Sequence, residues 1–381
     1  MIYLDFAATN PVRPQVAQLI YDNLANHFGN ASSIYRIGKS NKVKLIQARN
    51  EMAKMLQIEP SQLFFTSGAT EANNWAIFHQ AHQSRQLGLG NHIVSTSIEH
   101  PSVMEVLRQL ESEGFEVTYL NPNKEATYTV DMFQAASHNQ TIGWVSMAVN
   151  NEVGSVLPIK ELSQIAQSLG LWYHVDSVQA IGHIPMSDIA PYCTSFVGSA
   201  HKFGGPKGIG FLAYQVWNSE LTLKPYIFGG GQESHLRSGT ENLAYILGMT
   251  EALKLTLAEF DEQYQRAVEF RNLLVKTLED HQISFTFNGD PDHFVPHIIN
   301  VWLHQADASQ LLIKLDLADI FVSAGSACSA GTVTDSKILK AYYPQDSERW
   351  HQSLRISTGY TTQIQDIEIL SKQLIKLLEG K

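Results

Sequence analysis

The sequence predicts an α/β fold, in which helices cover both faces of a mainly parallel sheet and a smaller α+β domain follows. Between residues 63 and 214, short apolar runs alternate with helical patterns, which is typical of parallel strands joined by crossover helices. Residues 241–280 contain few helix breakers, and short strand and helix patterns resume after them. The length of 381 residues suits two or three structural units. We expect a large domain over 14–255 and a small domain formed by 1–13 with 256–381.

The N-terminal part is predicted to be an extended arm followed by two helices. Pro11 and Pro14 favour an extended conformation for residues 1–13. Apolar residues recur at helical spacing over 15–26 and again over 39–56, and a short stretch of small and polar residues separates the two patterns. We expect both helices to pack on the main body.

The rest of the chain supplies the strands and the helices that cover them. Strands of the large domain are predicted over 63–66, 92–97, 116–120, 143–149, 171–176 and 209–214, with a further strand that ends at Ser199. Helices are predicted to begin at Glu71, Pro101 and Ile159. Residues 241–280 form one long helix or two stacked helices. In the small domain, strands are predicted over 283–287, 298–303 and 353–357, and helices over 308–315, 335–343 and 363–378.

Composition indicates an ordinary soluble protein. Hydrophobic residues make up 44% of the chain, and the formal net charge is −10. This acidic balance argues against a general nucleic-acid surface, which needs clustered lysines and arginines. No apolar run approaches the roughly 18 residues that span a membrane, and the N-terminus lacks the pattern of a secretory signal. We expect a cytoplasmic protein that binds neither membranes nor, directly, nucleic acid.

The cysteines and histidines do not form a pattern that predicts a metal site. There are two cysteines and no CxxC pair, so neither a disulfide framework nor a thiolate zinc site is supported. The fifteen histidines lack a ligand spacing such as HExxH. Cys193 lies beside an apolar strand, which favours a buried, inert thiol. Cys328 lies among small residues with glycines on both sides, which favours an accessible thiol in a mobile segment.

The most informative stretch surrounds Lys202, which lies in a turn between two predicted strands. A lysine that is partly removed from water is a nucleophile toward aldehydes. Asp176 is predicted at the carboxyl end of an earlier strand, where open α/β sheets bind their ligands. Pyridoxal phosphate needs such a pair, a lysine that bonds to its aldehyde and a carboxylate beside its ring nitrogen. Each residue alone also has an ordinary interpretation. Lys202 could be a solvated loop lysine, and Asp176 could be an aspartate that caps a helix.

Residues 64–73 run from a strand through a turn of small residues into the start of a helix. The free N–H groups at a helix N-terminus make an anion site. A plain helix capped by Ser67 or Thr70 explains the same residues equally well. No Walker loop follows, and residues 205–210 lack the context of a dinucleotide fingerprint. Both observations favour a cofactor with a single phosphate.

Three further polar residues are placed to act on a bound molecule. His100, between a strand and a helix, could stack on a flat cofactor or exchange protons, although a lone histidine can be incidental. Asn151 lies in a polar turn after a strand, where turn chemistry alone could account for it. Arg355 interrupts a strand pattern, which suits bidentate capture of a carboxylate or an ordinary ion pair.

Together these stretches resemble the pyridoxal-phosphate-dependent cysteine desulfurases, relatives of the class V aminotransferases. Nine motifs occur in the family's order along the whole chain: YLDFAAT, FTSGATEAN, EHPSV, NNEVGS, HVDSVQ, SAHKFGGPKG, GGGQESHLRSGTEN, GSACSAG and SLRIS. The resemblance implies a fold-type I pyridoxal-phosphate enzyme. The spacing from Cys328 to Arg355 resembles the branch with a long, mobile cysteine loop.

The resemblance also implies a role for each matching residue. Lys202 would bond to pyridoxal 5'-phosphate, Asp176 would pair with the ring nitrogen, Gln179 and Asn151 would contact the ring oxygen, and His100 would stack on the ring. The phosphate would be held by Ala69, Thr70, Ser199 and His201, with Thr240 donated by the other subunit of a homodimer. Arg355 and Asn151 would bind the substrate, and Cys328 would accept sulfur.

The implied reaction converts L-cysteine to L-alanine and leaves a persulfide on Cys328, with Lys202 and His100 as the other catalytic residues. The sulfur would pass to an acceptor protein for tRNA thiolation or iron-sulfur cluster assembly. Alternatives are a selenocysteine lyase, another class V aminotransferase, or a partner-binding paralogue without turnover. The chain departs from the family pattern at Ala31 and Tyr35, at Ser234 with His235, and in its short C-terminal tail, and these departures concern partner choice.

Overall fold

The computed structural model describes residues 1–216, 221–325 and 335–379. The strands are β1 (Ile2–Tyr3), β2 (Leu63–Thr66), β3 (His92–Thr96), β4 (Glu116–Leu120), β5 (Thr141–Met147), β6 (Trp172–Asp176), β7 (Ser195–Ser199), β8 (Gly210–Tyr214), β9 (Phe285–Phe287), β10 (Ile298–Leu303), β11 (Ile320–Phe321) and β12 (Ser353–Ser357). The helices are α1 (Pro14–Asn26), α2 (Arg36–Met55), α3 (Ala69–Gln86), α4 (Pro101–Ser112), α5 (Val130–Ala136), α6 (Ile159–Ser168), α7 (Leu243–Ala258), α8 (Phe260–Asp280), α9 (Ala308–Asp316), α10 (Lys337–Tyr342), α11 (Ser347–Gln352) and α12 (Ile364–Glu379).

A seven-stranded sheet in the order β2-β8-β7-β6-β5-β3-β4 forms the centre of the fold. The pairs among β7, β6, β5, β3 and β4 are all parallel, which confirms the predicted mainly parallel sheet. Strand β8 runs antiparallel to both of its neighbours. Only residues 200–209 separate β7 from β8, which is too short for a parallel crossover. This short connection carries Lys202.

Helices cover both faces of this sheet, as predicted. Adjacent residues of one strand point to opposite faces. Trp172 and Tyr173 of β6 accordingly belong to different apolar clusters, and so do Phe196 and Val197 of β7. Helices α3 and α4 supply the clusters on one side of these pairs, and α6 and α7 supply the large cluster on the other. The stacked layers hold the carboxyl ends of β3, β5, β6 and β7 in fixed relative positions.

The C-terminal part has its own small sheet and apolar cluster. Strands β12, β10 and β9 pair antiparallel in that order, and α8, α9 and α12 pack on them. The stretch 241–280 forms two helices, α7 and α8, with the break at Glu259. Strand β1 of the N-terminal arm pairs with β11, which attaches the arm to this part of the chain. The domain boundaries at residues 13 and 255 remain a prediction.

Most predicted elements occur within a few residues of their expected bounds, but four short ones were not predicted. These are α5, α11, β1 and β11. Each is seven residues or shorter, so its apolar pattern completes too few turns or alternations to stand out. Within the described ranges, no helix is both long and apolar enough to cross a bilayer.

Candidate active site

A cavity of about 1160 Å³ lies where the parallel strands end. Its wall includes residues that follow or end β3, β5, β6 and β7, together with the start of α3 and one residue of β12. Ten of the predicted site residues line it: Ala69, Thr70, His100, Asn151, Asp176, Gln179, Ser199, His201, Lys202 and Arg355. Thr240 is exposed to solvent and is not among the residues that line the cavity. Cys328 lies outside the described residues.

Lys202 is held by the N-terminal arm. It ends a short 3-10 turn after β7, and its Nζ donates to the carbonyl oxygens of Ala7 at 2.6 Å and Ala8 at 2.9 Å. Asn10 of the same arm donates from Nδ2 to the backbone oxygen of Lys202 at 2.9 Å. Gln179 donates from Nε2 to the Ala7 oxygen at 2.8 Å. The arm therefore positions the lysine, a role that the sequence alone did not reveal.

Asp176 ends β6 and is 5% exposed. Its Oδ2 accepts a hydrogen bond from Nδ2 of Asn73 at 2.9 Å, and its Oδ1 accepts one from the backbone N–H of Val178 at 3.1 Å. Each carboxylate oxygen keeps a second lone pair for another donor. Asn73, on α3, is a functional neighbour that sequence reasoning missed, because a polar residue inside a helix carries no local signal.

The start of α3 has free backbone N–H groups of the kind that an anion site requires. Gly68 occupies the N-cap position and no side chain caps the helix, so Ser67 and Thr70 do not act as caps. The N–H groups of Ala69 and Thr70 therefore have no intrahelical acceptor. Ser199 lies close by, since a Cβ at residue 68 would be 3.7 Å from its Oγ. The free amides and this hydroxyl together form a set of donors suited to a phosphate.

The two histidines of the cavity are neutral. Burial, reinforced by Lys202 and Lys207, lowers the pKa of His201 to about 4. Burial also lowers the pKa of His100, an effect that Lys202 strengthens and Asp176 opposes. His100 is the N-cap of α4, where its Nδ1 accepts the backbone N–H of Ser102 at 3.1 Å. Neutral imidazoles can exchange hydrogen bonds with a ligand in either direction.

Arg355 brings a buried positive charge to the wall of the cavity. It is 2% exposed, its Nη2 donates to Asp5 at 2.7 Å, and its Nη1 donates to the backbone oxygen of Asn151 at 3.0 Å. Its Nε is buried and has no partner among the described residues. One hydrogen on each of Nη1 and Nη2 thus remains for a carboxylate. Nearby Glu152, whose pKa is raised by burial, accepts a hydrogen bond from Ser336 at 2.5 Å.

Comparison with known proteins agrees with this geometry. A family model described as aminotransferase class-V matches residues 2–370. The chain belongs to this family. A cysteine desulfurase IscS of Dictyoglomus turgidum is 35% identical over 378 residues, which cover 99% of this chain and 94% of that protein. A solved structure of a NifS-like protein has a TM-score of 0.90 and 28% identity, with 100% of both chains covered.

A second solved structure contains an amino acid. SspA in complex with cysteine has a TM-score of 0.79 and 29% identity, with 94% of this chain and 98% of that chain covered. The predicted resemblance to the cysteine desulfurases of the class V family is confirmed by these comparisons. Pyridoxal phosphate is the cofactor of this class V enzyme.

The residues present fit that cofactor. The free N–H groups of Ala69 and Thr70 at one end of the cavity match a phosphate, and the buried carboxylate of Asp176 matches a ring nitrogen. Lys202 lines the same cavity with its amine held by backbone carbonyls. The volume of about 1160 Å³ leaves room for an amino acid beside the cofactor.

Two features lie apart from this site. Cys193 is 2% exposed, and burial raises the pKa of its thiol, as expected for an inert cysteine. Within the described part of the chain, one group of side chains could hold a metal ion, namely His92, Glu116 and His138. It lies at the amino ends of β3 and β4, at the opposite edge of the sheet from the cavity, and is not part of the candidate active site.

Proposed function

We propose that this class V enzyme converts L-cysteine to L-alanine and transfers the sulfur to its own Cys328 as a persulfide. The observation that carries the proposal is that Lys202, Asp176 and Arg355 line one cavity. The cavity therefore combines an amine for the cofactor, an acid for the ring of the cofactor, and a cation for the carboxylate of an amino acid. The names of the relatives, cysteine desulfurase among them, and the cysteine bound to SspA support cysteine as the substrate.

The cofactor-binding residues are assigned by the groups that they present. Ala69, Thr70, Ser199 and His201 would hold the phosphate, Asp176 the ring nitrogen, and Asn151 and Gln179 the ring oxygen, with His100 stacked on the ring. Pyridoxal phosphate, when bound, supplies an aldehyde for amines and a ring that withdraws electrons from the substrate Cα. Lys202 Nζ is the base that takes the proton from that Cα.

The substrate is held and attacked by residues from the C-terminal part of the chain. Arg355 binds the cysteine carboxylate, and Asn151 assists it. The Cys328 thiolate attacks the sulfur of the bound cysteine, so that an S–S bond forms on Cys328 while the C–S bond breaks. The electron pair of that bond stays on Cβ, which takes up a proton. The proton that Lys202 removed returns to Cα, and the product leaves as alanine. His100 controls the thiol proton of the bound cysteine.

We propose further that the enzyme is a homodimer. Thr240 is exposed and does not line the cavity of its own chain, so we assign Thr240 of the partner subunit to the phosphate site. Large apolar side chains are exposed along α1, α2 and the segment between them, among them Leu24, Phe28 and Ile34. A second copy of the protein covers this surface.

The persulfide on Cys328 then passes to an acceptor protein of tRNA thiolation or iron-sulfur cluster assembly.

Alanine formation and persulfide formation test the proposal together. The purified protein, loaded with pyridoxal phosphate and incubated with L-cysteine, should form alanine and carry one additional sulfur on the peptide that contains Cys328. Cys328→Ala should abolish the persulfide, while Cys193→Ala, the matched control, should retain it. Undiminished sulfur release by Cys328→Ala, or alanine formation by Lys202→Ala at the normal rate, would overturn the assignment.

A further inference from the structure

His100 and Asp176 follow or end different strands, yet a short chain of hydrogen bonds joins them. The Oγ of Ser102 lies 2.8 Å from Nδ1 of His100 and accepts a hydrogen bond from Nδ2 of Asn73 at 2.9 Å. The same nitrogen of Asn73 donates to Oδ2 of Asp176 at 2.9 Å. Asn73 is fully buried, and Ser102 is 9% exposed. Water therefore competes little for these contacts.

The chemistry of the members fixes the direction of each hydrogen bond. An ionised carboxylate only accepts, so Asn73 turns its NH₂ group toward Asp176, and its oxygen faces Nε2 of His174 at 2.9 Å. The backbone N–H of Ser102 points at Nδ1 of His100, so that nitrogen carries no proton. The Ser102 hydroxyl then also donates to Nδ1. The proton of neutral His100 consequently lies on Nε2.

The hydrogen bonds on the other side of Asn73 fix the orientation of its side-chain amide. Burial lowers the pKa of His174 to about 3, so this histidine is neutral. Because its Nε2 donates to the Asn73 oxygen, its Nδ1 accepts from Oγ of Ser195 at 2.8 Å. Ser195 in turn accepts from Nε2 of Gln80 at 3.2 Å. Each hydrogen bond from Gln80 through Ser195 and His174 to Asn73 thus has one consistent direction.

We propose that Ser102 and Asn73 are positioning residues that hold the proton of neutral His100 on Nε2 and tie this tautomer to the carboxylate of Asp176. The proposal rests on the proposed function, since it assigns how His100 acts there. Because Nδ1 of His100 is hydrogen-bonded to Ser102, Nε2 is the ring nitrogen that can contact a molecule in the cavity. His100 then donates a hydrogen bond from Nε2 to the sulfur of a bound cysteine.

The charges around His100 support the neutral ring. Lys202 lies near enough to disfavour a second positive charge, and the neighbouring His201 is neutral. Asp176 favours protonation, but burial of the ring outweighs it. Glu99, the preceding residue, is fully buried, and burial raises its pKa to about 8. Loss of the Ser102 hydroxyl removes a donor to the neutral ring and should move protonation of His100 to higher pH.

A mutant cycle tests whether Ser102 acts through His100. Ser102→Ala should lower the kcat for alanine formation about 3- to 10-fold, the size of one hydrogen bond. Ser102→Thr, which keeps the hydroxyl, should recover most of the loss. In a His100→Gln background, Ser102→Ala should have no further effect. Ser95→Ala, which removes a buried hydroxyl without a partner among the described residues, is the matched control and should behave as wild type.

A second readout does not depend on activity. In protein labelled with 15N-histidine, NMR should show neutral His100, identified by its loss in His100→Gln, protonated on Nε2 alone. In Ser102→Ala, the ring should take up its second proton at a higher pH than in the wild type. A proton on Nδ1 of neutral His100 in the wild type, an unchanged protonation pH of His100 in Ser102→Ala, or an equal loss of activity from Ser102→Ala in both backgrounds would overturn the proposal. Absence of alanine formation by the wild type would instead refute the proposed function, because the NMR result stands separately.

Discussion

Arg355 donates from Nη2 to Oδ1 of Asp5 at 2.7 Å, which joins the last strand of the small sheet to the N-terminal arm. The guanidinium is almost completely buried, so Asp5 supplies the counter-charge that a buried cation requires. The same arm, through Ala7 and Ala8, holds the amine of Lys202. One short segment therefore sets the positions of both Arg355, the proposed substrate cation, and Lys202, the proposed cofactor lysine.

Replacing Arg355 by lysine should weaken substrate binding more than turnover. An ammonium cannot contact Asp5, the Asn151 oxygen and a substrate carboxylate with the fixed fork of a guanidinium. We expect Arg355→Lys to raise the KM for cysteine about tenfold or more, the size of one lost charged hydrogen bond, with a smaller change in kcat. Steady-state kinetics measure both constants. Arg349→Lys, at an arginine outside the cavity wall, is the control, and an unchanged KM in Arg355→Lys would refute the role.

The stability of the protein should depend on pH through Glu99. Burial raises its pKa to about 8, whereas an unfolded glutamate titrates near 4.3. Between these values the native state binds the extra proton, so this group's contribution to stability is lost as pH rises. Relative to Glu99→Gln, the wild type should lose about 2 kcal/mol of unfolding free energy between pH 5.5 and 7.5.

Urea unfolding at several pH values, with equal cofactor loading and protein concentration, measures this difference. Glu51→Gln, at an exposed position on α2, is the control and should unfold in parallel with the wild type. Parallel curves for Glu99→Gln and the wild type would show that Glu99 does not hold a proton in the native state.

His235 should be replaceable by glycine with a gain in stability. Glu233, Ser234 and His235 have φ angles of 47°, 57° and 65°, a left-handed conformation that is unfavourable for residues with a Cβ. His235 is exposed, so its side chain contributes little packing. After allowance for the greater freedom of glycine in the unfolded chain, His235→Gly should raise the unfolding free energy by about 0.5–1 kcal/mol. His235→Ala keeps the strain and should show no gain; equal stability of the two variants would contradict the explanation.

The exposed apolar surface of α1, α2 and the segment between them should mediate dimerisation. Phe28 is 81% exposed there, and Phe28→Asp should shift the protein toward the monomer in analytical ultracentrifugation. The same variant should bind pyridoxal phosphate more weakly, since Thr240 of the partner subunit is lost from the phosphate site. Leu317→Asp, also 81% exposed but in the C-terminal part, is the control. A wild type that sediments as a monomer would refute the dimer.

The sequence was sufficient to predict the parallel sheet and ten residues of the cavity wall. Strands such as β6 consist mainly of apolar residues with a single acid at the end, and the motifs around Lys202 and Asp176 are long enough to be specific. Because the carboxyl ends of parallel strands meet at one edge, local patterns were enough to bring these residues together. The antiparallel β8 was not predicted, since the direction of a strand is decided by its connection.

The supporting contacts could not be predicted. Asn73 reaches Asp176 across 103 positions and Asp5 reaches Arg355 across 350, and neither pairing leaves a local pattern in the chain. The role of the arm backbone at Ala7 and Ala8 is equally hidden, because carbonyl oxygens are common to every residue. Such contacts depend on the tertiary fold and emerge only when the strands are assembled.

The central claim, that the cavity binds pyridoxal phosphate through Lys202, is tested most directly by reduction and peptide mapping. Sodium borohydride, added to the purified protein with pyridoxal phosphate, fixes the bond between a lysine amine and the aldehyde. We predict the reduced cofactor on the peptide that contains Lys202, and its absence from Lys207, which lines the same cavity. Recovery of the cofactor on Lys207 alone, or on no peptide, would contradict the account.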